Sequence, residues 1–216
     1  MQIRIMQIKT DSMEKWYFEI NDHLLNDPRP GEYLSRISQG QIFLQFPFTL
    51  LKKLKETKQS PQHHPEGSVW NHTLLVVNEA AQRRAQSKNA RVLMWAALLH
   101  DIGKPDTTRE RKGKITAYDH DKVGAELARE FLLALTDETN WIEEVVKLIR
   151  WHMQILFVVK NLPFADIKSM KKEVDIREVA LLGLCDRLGR SNRNKAQEEE
   201  TIQIFMQKSI RDGHQG

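Results

Sequence analysis

The sequence predicts an all-α protein. Three observations carry this. Apolar residues recur at helical spacing in segment after segment. Short clusters of Pro, Gly, Asn and Asp separate those segments. The polar–apolar alternation that suits a strand is nearly absent. The count is roughly seven or eight helices with almost no strand.

Taken in order, Met1 to Thr10 carries Ile3, Ile5 and Ile8 nearly in register and suits a short strand or an ordered arm. Asp11 to Leu25 is an amphipathic helix with Met13, Trp16, Tyr17, Ile20 and Leu24 on one side. Asp27-Pro28-Arg29-Pro30-Gly31 is a turn. Glu32 to Leu54 is mixed: a short helix, an apolar patch from Phe43 to Phe48 broken by Pro47, then Leu50, Leu51 and Leu54. These pieces, residues 1–60, are expected to form a helical layer over the core. Lys55 to Gln62 is basic and polar and leads into a loop that holds Pro65 and Gly67, with Trp70 as its anchor. His72 opens a helix over Thr73 to Gln86. Lys88 to Ala90 turns the chain into a central helix with Val92, Ala96 and Leu99 on one face. That helix ends at His100-Asp101, where Gly103 and Pro105 stop it.

Pro105 to Tyr118 is a charged loop in which Lys112-Gly113-Lys114 suits a hairpin. Asp119-His120-Asp121 precedes a helix, Lys122 to Leu135, striped by Val123, Leu127, Phe131 and Leu135. Thr139 or Asn140 caps the next, which carries Trp141, Val145, Leu148, His152 and Leu156. Leu162 to Lys172 reads as a link. Asp175 with Glu178 resembles a capping box ahead of a helix bearing Val179, Leu182 and Asp186 and interrupted at Gly189. Lys195 to Lys208 is a last amphipathic helix, and residues 211–216 a frayed tail. Residues 61–210 are the expected main domain.

Composition bounds the function. At 216 residues the chain is long enough to bury a real core. A net charge of +4 is compatible with a phosphorylated or nucleic-acid ligand but ordinary for many proteins. Cys185 is the single cysteine, which excludes an intramolecular disulfide and a cysteine-only zinc site and suits a reducing compartment. No stretch reaches the roughly 18 apolar residues of a membrane span, and Met1 to Lys9 lacks a signal-peptide core, so the cytoplasm is the expected location.

Several ionisable residues interrupt the apolar stripes. His72, the His100-Asp101 pair, His152 and Asp186 each sit at or near the inward row of a separate helix, and His120 stands at a helix start. A buried polar group without a partner costs free energy. Several are tolerable if they converge on a metal, which is how helical bundles build such sites. Taken singly, each has a plainer reading. His72 and His152 suit hydrogen-bonded core histidines, Asp186 an ion pair with Arg187 or Arg190, and His64 a bond within its loop. Asp119 and Asp121 suit helix caps and solvated charge. Their joint order along the chain favours ligation.

That order resembles the HD-domain superfamily of metal-dependent phosphohydrolases: a histidine (His72), a His-Asp doublet (His100-Asp101) and a distant aspartate (Asp186). The local form His100-Asp101-Ile102-Gly103-Lys104 is similar to the family's best-known variant, and His120 and His152 match the two extra histidines of its binuclear subset. The resemblance covers roughly Pro61 to Arg190. Within it, His64-Pro65-Glu66-Gly67, Val69-Trp70, His72-Thr73-Leu74, Gly124-Ala125 and Asp186-x-x-Gly189-Arg190 resemble the HD region of bacterial tRNA nucleotidyltransferases, the CCA-adding enzymes. The 216 residues leave no room for that family's nucleotidyltransferase domain, and its Gly-Ser plus paired-aspartate signature is absent, so nucleotide addition is not expected.

The resemblance implies an HD-like helical bundle holding one or two divalent ions. Asp101 would bridge them, with His72, His100 and Asp186 on one and His120 and His152 on the other. Imidazole and carboxylate without thiolate suit Mn, Fe, Co, Ni or Mg. A metal-activated hydroxide would attack phosphorus in line with the leaving group. Lys104 would neutralise a phosphoryl oxygen or assist the leaving group, unless it is only a cation at a helix C-terminus. Arg187, Arg190 and His64 are further substrate-binding candidates. The expected partner is a phosphorylated small molecule, a nucleotide or an RNA end, a 2′,3′-cyclic phosphate among them. An alternative is an RNA- or tRNA-associated binding protein with a non-catalytic site, motivated by the basic stretches Lys52 to Lys58 and Lys168 to Lys172. Signalling-nucleotide hydrolysis is a third reading, although the Gly-Tyr-Pro motif of the cyclic-di-GMP branch is missing.

Overall fold

The structure, a computed structural model, describes residues 2–211, with the side chains of residues 13–211. It is helical apart from one two-stranded hairpin among these residues. The helices are α1 (Gln2–Asn26), α2 (Pro30–Ile37), α3 (Phe48–Glu56), α4 (Val69–Ala81), α5 (Ala90–Leu99) and the single turn α6 (Lys104–Thr107). The hairpin follows as β1 (Thr108–Arg111) and β2 (Lys114–Ala117). Then come α7 (His120–Leu133), α8 (Thr139–Trp151), α9 (Gln154–Val159), α10 (Ile167–Glu173), α11 (Ile176–Leu188) and α12 (Lys195–Arg211). No helix among the described residues is long and apolar enough to cross a membrane.

Helix α5 is the centre because it has no polar face. Every residue from Val92 to Leu99 is buried, the pattern of a helix covered on all sides. Helices α1, α4, α8 and α11 pack around it. Trp95 fills the middle, stacked on Tyr17 at 5.7 Å and meeting the edge of Trp141 at 5.9 Å. Its indole N–H donates to Asn21 Oδ1 at 3.0 Å, so the ring is buried without an orphaned donor. Tyr17, Ile20, Leu24, Leu34, Phe48, Leu51 and Leu54 of the first three helices belong to the same buried cluster. Cys185 lies in it too, where burial pushes the thiol up to about 12 and makes it chemically inert.

Several expected boundaries move, for local reasons. The segment from Gln2 to Thr10, expected as a strand or arm, is the first part of α1. A lone strand there would leave its backbone groups unpaired, whereas a helix satisfies its own. Ser68 accepts from Asn71 N–H, so α4 starts at Val69 and His72 sits inside its first turns; the helix stops at Ala81, short of Gln86. Helix α7 opens at His120, after Asp119 takes a left-handed φ of 59°. The helix expected to continue from Trp141 to Leu156 breaks at His152 and restarts as α9, leaving Leu156 partly exposed. The link Leu162 to Lys172 contains most of α10. Asp175 caps α11, but Glu178 does not close the box. It reaches instead to Ser87 Oγ (2.6 Å) and Lys88 N–H (3.0 Å). Residues 212–216, most of the expected tail, lie outside the described residues.

Gly103 is required for a close approach of backbone to backbone. A Cβ there would lie 2.3 Å from the carbonyl oxygen of His120 and 2.5 Å from Gly124 N. The loop after α5 therefore rests directly on the start of α7. Gly103→Ala must push these two apart, at a cost of about 1–3 kcal/mol. A melting experiment should show a Tm lowered by about 2–4 °C for each kcal/mol lost; an unchanged Tm would mean that the contact is not tight.

Candidate metal centre

The centre is built where three helices end or begin. His100 is the C-cap of α5 and His152 the C-cap of α8, while His120 opens α7. Each donates its Nδ1–H to a main-chain carbonyl three residues earlier: His100 to Ala97 (2.9 Å), His120 to Ala117 (2.7 Å), His152 to Ile149 (2.6 Å). A carbonyl can only accept, so Nδ1 carries a proton, and in the neutral ring Nε2 is left with the lone pair. On α4, His72 places Nδ1 3.0 Å from Glu66 Oε1 and Nε2 3.0 Å from Asp186 Oδ1.

The four Nε2 atoms point inward around Asp101. Its Oδ2 lies 3.2 Å from His100 Nε2 and 3.9 Å from His72 Nε2; its Oδ1 lies 3.5 Å from His120 Nε2. His120 and His152 face each other Nε2 to Nε2 at 3.2 Å. His120 and His152 both donate through Nδ1, so two Nε2 lone pairs face each other there and repel unless a cation lies between them. His100 Nε2 and Asp101 Oδ2 are moreover buried without a well-directed hydrogen bond. Two groups, His72 with His100 and Asp101, and Asp101 with His120 and His152, each bring their ligand atoms within 4.8 Å of one another. The donor set and its unsatisfied atoms fit a divalent cation.

Charge is arranged to match. Burial alone would raise the Asp101 pKa, but His100 and Lys104 beside it hold the carboxyl well below the usual range. Lys104 Nζ is 2.7 Å from Asp101 Oδ2 and also donates to Gln59 Oε1 at 2.7 Å. Burial likewise opposes ionisation of Asp186, and Arg190 and His72 outweigh it; Arg190 donates to both Asp186 oxygens at 3.2 and 3.0 Å. Burial pushes His152 down to about 3, so it is a neutral ligand at physiological pH. His64 is lowered to about 3 as well, by burial and then by Lys104, and its Nδ1 shares Glu66 Oε1 at 2.9 Å. Burial would raise Glu66, yet bonds from His72 bring it down to about 2.

Asp101, His120 and His152 line a cavity of about 910 Å³ together with Lys104, His64, Asp186 and Arg190. The structure thus brings His64, His72, His100, Asp101, Lys104, His120, His152, Asp186 and Arg190 to one place. It does not bring Arg187, whose Nε donates to Glu198 on α12. The expectation of a solvated Asp121 is corrected. It is buried and accepts from Arg150 Nη1 at 2.6 Å, while Asp119 is exposed beside Lys122. Glu66 and Gln59 received no role from the sequence. The signal for Glu66 was an acid two residues after His64 and six before His72; nothing local marks Gln59.

Fold and site together define a helical domain with one hairpin, whose helix ends gather a His/Asp cluster able to hold a divalent metal. The family model described as HD domain matches residues 69–191, more than half of the chain, and the protein belongs to that family. HD domains bind divalent metals, and at the level of the family they imply metal-dependent phosphohydrolase activity. The chain is 29% identical over 183 residues to the multifunctional CCA protein of Actinobacillus pleuropneumoniae serotype 5b, covering 77% of this chain and 44% of that one. It is 38% identical over 95 residues to the multifunctional CCA protein of Halorhodospira halophila, covering 44% and 21%. It is 38% identical over 91 residues to the CC-adding tRNA nucleotidyltransferase of Thermus thermophilus, covering 41% and 20%. The chain thus spans less than half the length of these relatives.

Glu66→Gln keeps the shape but loses the negative charge beside His72 Nδ1. It should weaken metal binding by about 10–100-fold with the circular dichroism spectrum unchanged, measured by competition with a chromogenic chelator. Unaltered affinity would show that Glu66 does not support the ligand.

Proposed function

We propose that the chain is a metal-dependent phosphohydrolase acting on a phosphomonoester or phosphodiester of a nucleotide or an RNA end. The observation that carries the reading is the convergence of four imidazole Nε2 atoms around one carboxylate, Asp101, in a cavity edged by cations. His72, His100, Asp101 and Asp186 would hold one ion, and Asp101, His120 and His152 a second. The two oxygens of Asp101 face different histidines, which supports its sharing between two ions. Without thiolate the set suits Mn, Fe, Co, Ni or Mg. A divalent cation bound there polarises a phosphoryl oxygen and acidifies water.

The chain's own groups supply the rest. Lys104 can turn its ammonium to a non-bridging oxygen as charge develops there. Arg190 Nε is buried without an acceptor, and its guanidinium lines the cavity, so it can serve a phosphate. His64, neutral and fixed through Nδ1, presents Nε2 for a hydrogen bond to substrate. Arg187, engaged by Glu198, has no part in this scheme. One of the relatives is by name a tRNA nucleotidyltransferase, which favours a nucleotide or RNA-end phosphate.

The alternative, an RNA-associated protein with a silent site, rested on two basic stretches. Both are partly committed to structure: Lys53 to Asp106, Lys55 to the Ser38 carbonyl, and Lys171 to the Ser209 carbonyl. Hydrolysis of a chromogenic phosphodiester and monoester across a divalent-metal panel decides between the readings. Wild type should turn over only with metal. Asp101→Ala should lose about two orders of magnitude or more, the scale of several kcal/mol that a catalytic metal supplies. His152→Ala should lose less if one ion suffices. Full metal-dependent turnover by folded Asp101→Ala, or none by wild type with any metal, would overturn the proposal.

A further inference from the structure

The hairpin of β1 and β2 carries charge that neither the fold nor the metal centre uses. Its two-residue turn, Lys112-Gly113, has φ of 50° and 73° at the two positions, the left-handed pair of a type I′ connection. The register places Thr108 opposite Ala117, Arg109 opposite Thr116, Glu110 opposite Ile115, and Arg111 opposite Lys114. Thr108, Ile115 and Ala117 share one face and line the cavity. Arg109, Arg111 and Lys114 share the other face and are exposed. Two of these cations, Arg111 and Lys114, stand directly opposite each other, an unfavourable cross-strand pair. Among the described residues none of the three has a carboxylate partner; Arg109 reaches only the carbonyls of Asp106 and Thr108. Such a face leaves three exposed cations able to meet an anionic ligand.

A second, independent observation lies at the cavity mouth. Tyr118, which follows β2, is 71% exposed and Phe164 is 60% exposed, and both line the cavity. Exposed rings on the rim of one cavity, Tyr118 adjoining the cationic hairpin and Phe164 elsewhere on its lining, match the chemistry of an unpaired polynucleotide, whose phosphates meet cations and whose bases stack on aromatic faces. Arg109 and Arg111 are about 7 Å apart along the strand, far enough to meet separate phosphates. The turn carries no apolar residue to enter a lipid layer, which disfavours a membrane surface.

We propose that the β1–β2 hairpin with Tyr118 and Phe164 is a docking surface for the single-stranded end of an RNA, leading its terminal phosphate into the cavity. The placement of that terminus rests on the phosphohydrolase reading. The test reads binding, without added metal, by anisotropy of a fluorescein-labelled ten-nucleotide single-stranded RNA over a salt series. Wild type should lose affinity steeply with salt. Arg109→Ala/Arg111→Ala/Lys114→Ala should flatten the slope by about two, since each single-strand phosphate contact contributes about 0.7. Arg109→Lys/Arg111→Lys should restore it. Tyr118→Ala/Phe164→Ala should weaken binding about five-fold or more with the slope unchanged. All variants alter exposed positions, and equal Tm values would show them folded. RNA binding indifferent to the triple substitution would overturn the proposal. So would a triple variant that loses binding to phosphatidylserine vesicles while keeping RNA. Absence of turnover in the metal panel would instead sink the phosphohydrolase reading and leave this surface standing.

Discussion

Three histidines of the centre spend one ring nitrogen on a main-chain carbonyl three residues back. The last carbonyls of a helix have no partner within it. At the ends of α5 and α8, His100 and His152 satisfy one of them, and in doing so each ring is fixed in tautomer and in aim. The same bond therefore terminates a helix and orients a ligand. The rest of the architecture serves to bring these ends together. Helix α5 is buried on every side so that its end lies in the interior, and Gly103 lets α7 settle against the loop that follows.

Burying so many ionisable groups would be costly if they were left alone. Each carboxylate near the centre has a basic neighbour instead. Asp101 has Lys104, Asp186 has Arg190, Asp121 has Arg150, and Glu66 has His64 and His72. For Asp101, Asp186 and Glu66 these partners hold the carboxyl below its usual range despite burial. The surrounding stability comes from the apolar cluster, in which Trp95 and its ring neighbours occupy the middle.

The all-helical class and most helices were legible because the 3.6-residue period is strong where a helix has one buried face, as in α7 with Ala128 and Phe131. Boundaries were less so. Ser68 started α4 early, and the break at His152 interrupted a stripe that continues through it, because the histidine caps the helix with its own side chain. The ligand candidates were readable because polar residues on inward rows demand an explanation. Asp121 was misread because an acid at a helix start is usually solvated, and its partner Arg150 is 29 residues away. The destination of Arg187 depended on where α12 would dock, which no local pattern states. Gln59 was invisible for the same reason.

The ligands come from α4, the end of α5, the start of α7, the end of α8 and α11, and His72 and Asp186 are 114 positions apart. No short stretch holds a complete set. Closing a loop of that length carries an entropy that neighbouring contacts must offset before the ligands can meet. Asp186 reaches His72 only because α11 lies across α4, whereas Asp101, His120 and His152 come together at the ends of α5, α7 and α8 without it. The two candidate groups thus differ in reach: one is drawn from neighbouring segments, and the other is closed by a distant helix.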